Sequence, residues 1–264
     1  MAAKSLTVMT FNVRYATAAD GLDAWPFRKE AVGKTVRDSG ADVIGFQEVL
    51  KTQLADLQEE LPDFDYVGVG RDDGKQAGEY APIFYRRDRF DVKLQQTVWL
   101  SETPEKPSRG WDAAHERIAT LVQLHDKLAD DTLQIANTHF DHRGEQARLQ
   151  SAKLLREKLT TDLPVVLMGD FNFRPGSPPY QWLTDDCGGF ADTRTLAEEP
   201  LGPDSTWNGF AKIMPGARID FVFYRGPWRT ARFQIVDARR GGRFVSDHLP
   251  VVVEFVQEVN GSGP

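Results

Sequence analysis

The chain has one cysteine, Cys187, in 264 residues, so no intrachain disulfide framework can hold it together. Cys187 lies in Asp-Asp-Cys-Gly-Gly with no local activator and reads as a buried or inert thiol. No apolar stretch approaches the ~20 residues that a helical membrane span needs. No apolar signal core follows Lys4, so the expected compartment is the cytoplasm unless a leader has been removed. Positive charge is also scarce: 32 Lys and Arg stand against 39 Asp and Glu, a net charge of −7. That argues against a general nucleic-acid coat protein, which would be basic. It leaves phosphate-ester chemistry open, because local field rather than total charge steers a substrate. No internal repeat, low-complexity tract or linker divides the sequence. Residues 1–264 are therefore expected to form a single domain, and a monomer, ending in a flexible tail from Asn260.

What is present is a set of apolar runs ending in chemistry. Strands are expected at residues 6–13, 42–48, 66–69, 81–85, 92–100, 118–124, 132–139, 165–169, 219–224, 232–236 and 251–255. A helix is expected at 25–39, with Pro26 in its first turn and Gly40 beyond its end. A second runs through Leu54, Leu57 and Leu61 and stops at Pro62. A third, at 144–160, carries Ala147, Ser151, Leu154 and Leu155 on one face, and a short turn is expected at 180–183. The strands at 118–124 and 132–139 read as a hairpin, 101–109 and 174–179 as Pro-rich loops, and 188–217 as irregular. Many strands with few, not strictly alternating helices predict an α/β protein of packed mixed sheets.

The tips of these strands carry Asn12, Glu48, His139, Asp170 and, just before the last strand, Asp247-His248. A packed core has no use for such residues there. A carboxylate and an amide oxygen are hard ligands suited to Mg²⁺ or Mn²⁺. Taken singly, Asn12 and Glu48 also fit caps or turns. Asp170 and Asn172 are two apart, so they share a face if the strand persists, with Asp170 orienting a water and Asn172 donating to a phosphate oxygen. An Asx-turn into the following Pro-Gly loop is the alternative. His248 reads either as a proton-transfer group or as a satisfied core histidine. No Gly-x-Ser-x-Gly nucleophile motif occurs, which favours direct attack by water.

Six short motifs occur in order: TFNV (10–13), FQEV (46–49), NTHF (137–140), GDFN (169–172), RIDFVF (218–223) and SDHLP (246–250). The series resembles the endonuclease/exonuclease/phosphatase superfamily, which includes deoxyribonuclease I, and spans nearly the whole chain. The resemblance implies a four-layer α/β sandwich of two packed mixed sheets flanked by helices. It also implies metal-dependent hydrolysis of a phosphate ester with one or two ions. By motif, Glu48 resembles the main metal ligand, with Asn12 and Asp247 nearby. Asp170 resembles the water-orienting acid, Asn172 the phosphate-binding amide, and His248 the catalytic histidine with Asp220 as its carboxylate. His139 resembles the second, phosphate-side histidine. GEYAPIFYR (78–86) places Glu79 where deoxyribonuclease I has the acid paired with that histidine. Arg14 and Arg117 fall where basic phosphate contacts occur, though surface salt bridges would explain them equally.

The details of the chain look like a broad bacterial branch of the superfamily. The expected substrate is a small or medium phosphodiester. A nonspecific nuclease or a phosphomonoesterase is the alternative, and a non-catalytic binding module the remaining one. Nucleic acid is not the favoured partner. Arg225, Arg229, Arg232, Arg239, Arg240 and Arg243 read either as a positive rim or as a solvated strand face. Trp111, Trp207 and Phe210 lie in loops, and His142 and Arg148 are expected near the pocket.

Overall fold

The computed structural model describes residues 5–257 apart from Gly188; the first four residues and the tail from Asn260 lie outside them. In chain order the strands are β1 (Ser5–Asn12), β2 (Val43–Gln47), β3 (Phe64–Val67), β4 (Ile83–Arg86), β5 (Phe90–Trp99), β6 (Ile118–Asp126), β7 (Asp131–His139), β8 (Val165–Asp170), β9 (Ala191–Asp192), β10 (Asp220–Arg225), β11 (Trp228–Ile235), β12 (Arg239–Arg240), β13 (Arg243–Phe244) and β14 (Val251–Gln257). The α-helices are α1 (Lys29–Ser39), α2 (Lys51–Glu60), α3 (Glu145–Lys158), α4 (Pro178–Thr184) and α5 (Thr193–Leu196).

Two six-stranded sheets form, ordered β11-β14-β1-β2-β4-β3 and β5-β6-β7-β8-β10-β9. The pairs β1–β2 and β7–β8 run parallel inside otherwise antiparallel sheets. Successive side chains alternate faces, and the sequence uses this strictly. Leu6 and Val8 of β1, Val43 of β2, Leu133 and Ile135 of β7, and Val166 and Met168 of β8 meet between the sheets. The intervening Met9, Phe11, Ile44 and Phe46 pack outward with Val32 and Val36 of α1 and Leu54 and Leu57 of α2. On the other side, Leu167 and Phe171 pack with Ala152 and Leu155 of α3 and Leu183 of α4. The layers are helix, sheet, sheet, helix, as expected. Each fully buried aliphatic contributes about 1.5–3 kcal/mol. A one-residue slip would turn a whole row outward, so the register is fixed.

Several local expectations are corrected. The helix expected at 25–39 is broken: Trp25–Phe27 form a 3₁₀ turn and α1 starts at Lys29. The side chain of the intervening Arg28 is fully buried and donates from Nη1 to the carbonyls of Val13 and Val245, at 3.0 and 2.8 Å. Gly40 does close α1, at φ 67°. The stretch 188–217 holds β9 and α5, organised by buried Asp192, which pairs with Arg218 at 2.6 Å and accepts the Tyr180 hydroxyl at 3.0 Å. Strand β11 begins at Trp228 rather than at residue 232, because a register shift between Thr230 and Arg232 breaks its alternation. Cys187 is exposed, not buried.

Candidate active site

The inward-facing rows change character as they climb the sandwich. In β1 the row is Leu6, Val8, Thr10, Asn12; in β7 it is Leu133, Ile135, Asn137, His139; in β8 it is Val166, Met168, Asp170. Apolar side chains fill the bottom, amides and a hydroxyl the middle, and ionisable groups together with Asn12 the top. In the middle, Gln47 Nε2 donates to Thr10 Oγ1 and Gly45 O at 3.0 Å each and to Asn137 Oδ1 at 2.6 Å. Asn137 Nδ2 donates across to the carbonyls of Phe46 and Pro82 at 2.7 and 2.9 Å. Gly45 makes room: a Cβ there would sit 2.6 Å from Asn137 Oδ1. This polar tie fixes one sheet against the other directly below the ionisable layer.

At the top the two parallel pairs end side by side, and the chain turns sharply. Arg14, Glu48 and Asn172 have φ of 58°, 61° and 51°, a left-handed conformation uncommon outside glycine and frequent at functional sites. Asn12 Nδ2 donates to Glu48 Oε1 at 3.1 Å and to Asp170 Oδ2 at 3.0 Å. Glu48 Oε2 accepts the Tyr15 N–H at 3.2 Å. Asp170 Oδ2 lies 3.4 Å from His139 Nε2 and 3.8 Å from His248 Nε2. His248 Nδ1 donates to Asp220 Oδ2 at 2.9 Å, which leaves Nε2 turned to the cavity. Asp220 is brought there by register, opposite Asp170 in the β8–β10 ladder.

Strand β8 stops at Asp170, so Asp170 and Asn172 are not neighbours on one strand face. Asp170 Oδ1 accepts the Asn172 N–H at 3.0 Å in a turn, and Asn172 Nδ2 donates to Phe140 O at 3.0 Å, keeping its second N–H. Glu79 is near His139, but its Oε2 is 3.8 Å from Nδ1, beyond a hydrogen bond, and is held instead by Arg71 at 2.7 Å. Arg14 pairs with Asp20 at 3.1 Å and stands 3.8 Å from Asp247. Arg117 is buried, 3.5 Å from Asp141. A cavity of about 550 Å³ is lined by Arg14, Glu48, Arg117, Asp170, Asn172 and His248, with Glu79, His139 and Asp247 also on its wall. His142 and Trp207 line it as well. None of the Arg225–Arg243 series does; Arg239 pairs with Asp237 and Arg243 with Asp23.

The electrostatics separate the two histidines. Burial alone would lower His248, but Asp220 and Asp170 outweigh it and hold the imidazole well above its usual value. Burial, then Arg117 and Arg71, hold His139 well below. Burial raises Asp170, and Asp220 adds to it; burial raises Asp247, with Glu48 adding to it. Burial likewise raises Glu79 against the pull of Arg71.

The donor set fits a divalent cation. Ligand atoms of Glu48, His139 and Asp170 lie within 4.8 Å of one another, as do those of Asp170, Asp220 and His248. Asp170 and Asp247, raised by burial and then by a neighbouring carboxylate, are in the situation that a cation relieves. Asn12 stands apart from the expected ligands: its Oδ1 accepts the Arg14 N–H at 3.0 Å, so the amide nitrogen, a donor, faces the acids.

Sequence reasoning missed Arg71, Asn137, Asp141 and His115. Asn137 stands in the NTHF motif, but its amide's contacts with Phe46 and Pro82 across the sandwich have no local signal. Asp141 accepts the N–H groups of Arg143 and Gly144 at 2.9 and 2.8 Å and that of Ala114 at 3.0 Å, a role that depends on chain segments distant in sequence.

A strand-tip cluster of acids and histidines over a two-sheet sandwich defines the class. The chain belongs to the endonuclease/exonuclease/phosphatase family, whose model matches residues 9–248. An endonuclease/exonuclease/phosphatase from Bacteroides vulgatus superposes with a TM-score of 0.92 at 39% identity, covering 97% of this chain and 100% of that one. A Bacteroides thetaiotaomicron structure named mannosyl-6-phosphatase superposes with a TM-score of 0.90 at 36% identity, covering 95% and 99%. Nocturnin of Drosophila melanogaster is 25% identical over 88% of this chain, which spans 42% of that protein's length. Among the described residues, no helix is long and apolar enough to cross a membrane.

Proposed function

We propose that the protein hydrolyses a small phosphate ester by direct attack of water, with Mg²⁺ or Mn²⁺ bound at the acidic side of the cavity. The observation that carries this is the convergence of His139, His248 and Asn12 on the single carboxylate Asp170. Glu48, Asp247 and Asp170 are the residues that would hold the cation, with Asn12 orienting Glu48 and Asp170 through its amide N–H groups. When bound, the cation neutralises phosphoryl charge and stabilises the leaving oxygen. Asp170 orients the attacking water and receives its proton. His248, kept protonated by Asp220, donates to a phosphoryl oxygen, and the second N–H of Asn172 donates to another. His139 hydrogen-bonds the phosphoryl group from the opposite side, with Glu79 and Arg71 behind it. Arg14 and Arg117 supply positive charge at the cavity wall.

The cavity, about 550 Å³, suits one small ester, and the likeness to a structure named mannosyl-6-phosphatase supports a monoester over the diester first expected. A diester is the second reading. A cleft of about 540 Å³, lined by Leu149, Phe173, Pro178 and Pro179, adjoins the cavity across Asn172 and Arg174 and would receive a second alcohol. Hydrolysis of p-nitrophenyl phosphate against bis-(p-nitrophenyl) phosphate, with Mg²⁺, Mn²⁺ or EDTA, decides between them. Metal-dependent monoester cleavage is the expected result. Diester preference moves the reading to the second, and no turnover of any ester by metal-loaded protein overturns both.

A further inference from the structure

One wall of the cavity is left unused by these roles. It is formed by His115 and His142, whose exposed rings stack with centroids 5.7 Å apart and planes 20° from parallel. Buried Arg117 holds the pair from behind, with Nη2 3.2 Å from His142 Nδ1. A guanidinium only donates, so Nδ1 accepts and the proton sits on Nε2. The backbone fixes the pair as well. Asp141 Oδ2 accepts the N–H groups of Ala114 and His115, at 3.0 and 3.3 Å, while its Oδ1 accepts those of Arg143 and Gly144. One carboxylate thus ties together the two segments that carry the imidazoles.

Burial, then Arg71 and Arg117 for His115 and Arg117 for His142, hold both rings below the usual histidine value, so both are neutral at pH 7. A neutral imidazole has one donor and one acceptor. A hydroxyl has the same complement, whereas a second anion would need charge that these rings lack. Trp207, 37% exposed, lines the same cavity and offers a flat apolar face to C–H groups.

We propose that His115 and His142 form a leaving-group subsite for a polyhydroxylated alcohol, a sugar or polyol, whose hydroxyls exchange hydrogen bonds with the two imidazoles. This rests on the hydrolase reading above. It places selectivity in the alcohol that departs rather than in the phosphoryl group. Its test is the ratio of kcat/KM for a hexose 6-phosphate to that for phenyl phosphate, measured on Mn²⁺-loaded wild type, His115→Ala, His142→Ala and His142→Gln.

The wild type should prefer the hexose ester. Each alanine variant should lower the ratio about fivefold or more, the worth of one net hydrogen bond, mainly through KM. His142→Gln should recover most of the loss, because the Gln amide N–H reaches the place of imidazole Nε2–H. A wild type that prefers phenyl phosphate, or ratios that stay within about twofold in both alanine variants, overturns the subsite while the hydrolase reading stands. A wild type that cleaves neither monoester but turns over bis-(p-nitrophenyl) phosphate overturns the subsite alone, and one that turns over none of the three brings down the hydrolase reading and the subsite with it.

Discussion

Arg71 Nη1 lies 2.7 Å from Glu79 Oε2, and that same oxygen stands 3.8 Å from His139 Nδ1. The carboxylate expected to serve His139 is therefore held by a cation. His139 Nδ1 is buried without a hydrogen-bond partner among the described residues. Arg71 and Arg117 add to burial in holding the imidazole neutral.

Arg71→Met should consequently raise the His139 titration midpoint toward 6.5, since a lowering charge is removed and Glu79 is freed to approach. NMR titration of the His139 ring in metal-free protein reads this directly. A midpoint that stays put or drops would show that Arg71 does not set the histidine's charge.

Asp220→Asn should act on His248 in the opposite sense. Asp220 is the largest raising influence on a histidine held well above 6.5, so its neutralisation lowers the folded pKa. The alkaline limb of the rate profile should move to lower pH, and kcat should fall by about 10²-fold or more. Stability follows the same sign. A raised histidine contributes stability that is fully present below its unfolded value and lost as pH rises through the folded one. Urea denaturation should thus show the wild type's margin over the variant to be largest in acid. A margin that grows toward alkaline pH would contradict this assignment.

Much of this was legible in the chain because period-two burial writes itself into sequence. The inward row Val166, Met168, Asp170 is visible as a strand ending in acid, and so are the rows ending at Asn12 and His139. The strand tips are thus assignable to their elements from the sequence pattern alone. What stayed hidden depends on contacts between distant segments. Arg71 pairs with Glu79 from a loop with no motif, Asp141 ties 114–115 to 143–144, and Arg28 reaches the carbonyls of Val13 and Val245, which follow strands distant in sequence. The Asn12 amide orientation was also unreadable, because it is set by the backbone N–H of Arg14 rather than by residue type.

Gly169→Ala should destabilise the fold by about 2 kcal/mol or more. Gly169 has φ 148°, and a Cβ there would meet the Thr138 carbonyl oxygen at 2.1 Å, inside the parallel ladder that carries His139 and Asp170. Chemical denaturation measures the loss. A variant of wild-type stability would mean that β7 and β8 are less closely apposed than described.

Asp141→Asn should cost about 1–3 kcal/mol at neutral pH. Burial would raise this carboxyl, but N–H groups of Gly144, Arg143 and Ala114, then Arg117, hold it far below 3.8. A depressed acid contributes stability above its unfolded value that is lost as pH falls through the folded one. The gap between wild type and variant should therefore narrow below pH 3.8. Denaturation curves at several acidic pH values check this, and a gap that widens there would refute it.

Asp170 is the residue on which the proposed chemistry converges, so its removal is the most direct test. Phosphate release from p-nitrophenyl phosphate should be measured for wild type and Asp170→Asn, each with Mn²⁺ and with EDTA, beside circular dichroism to confirm folding. The account predicts turnover that EDTA abolishes and a folded variant about 10²–10⁴-fold slower. A folded Asp170→Asn protein working at the wild-type rate, or wild-type turnover indifferent to EDTA, would contradict it.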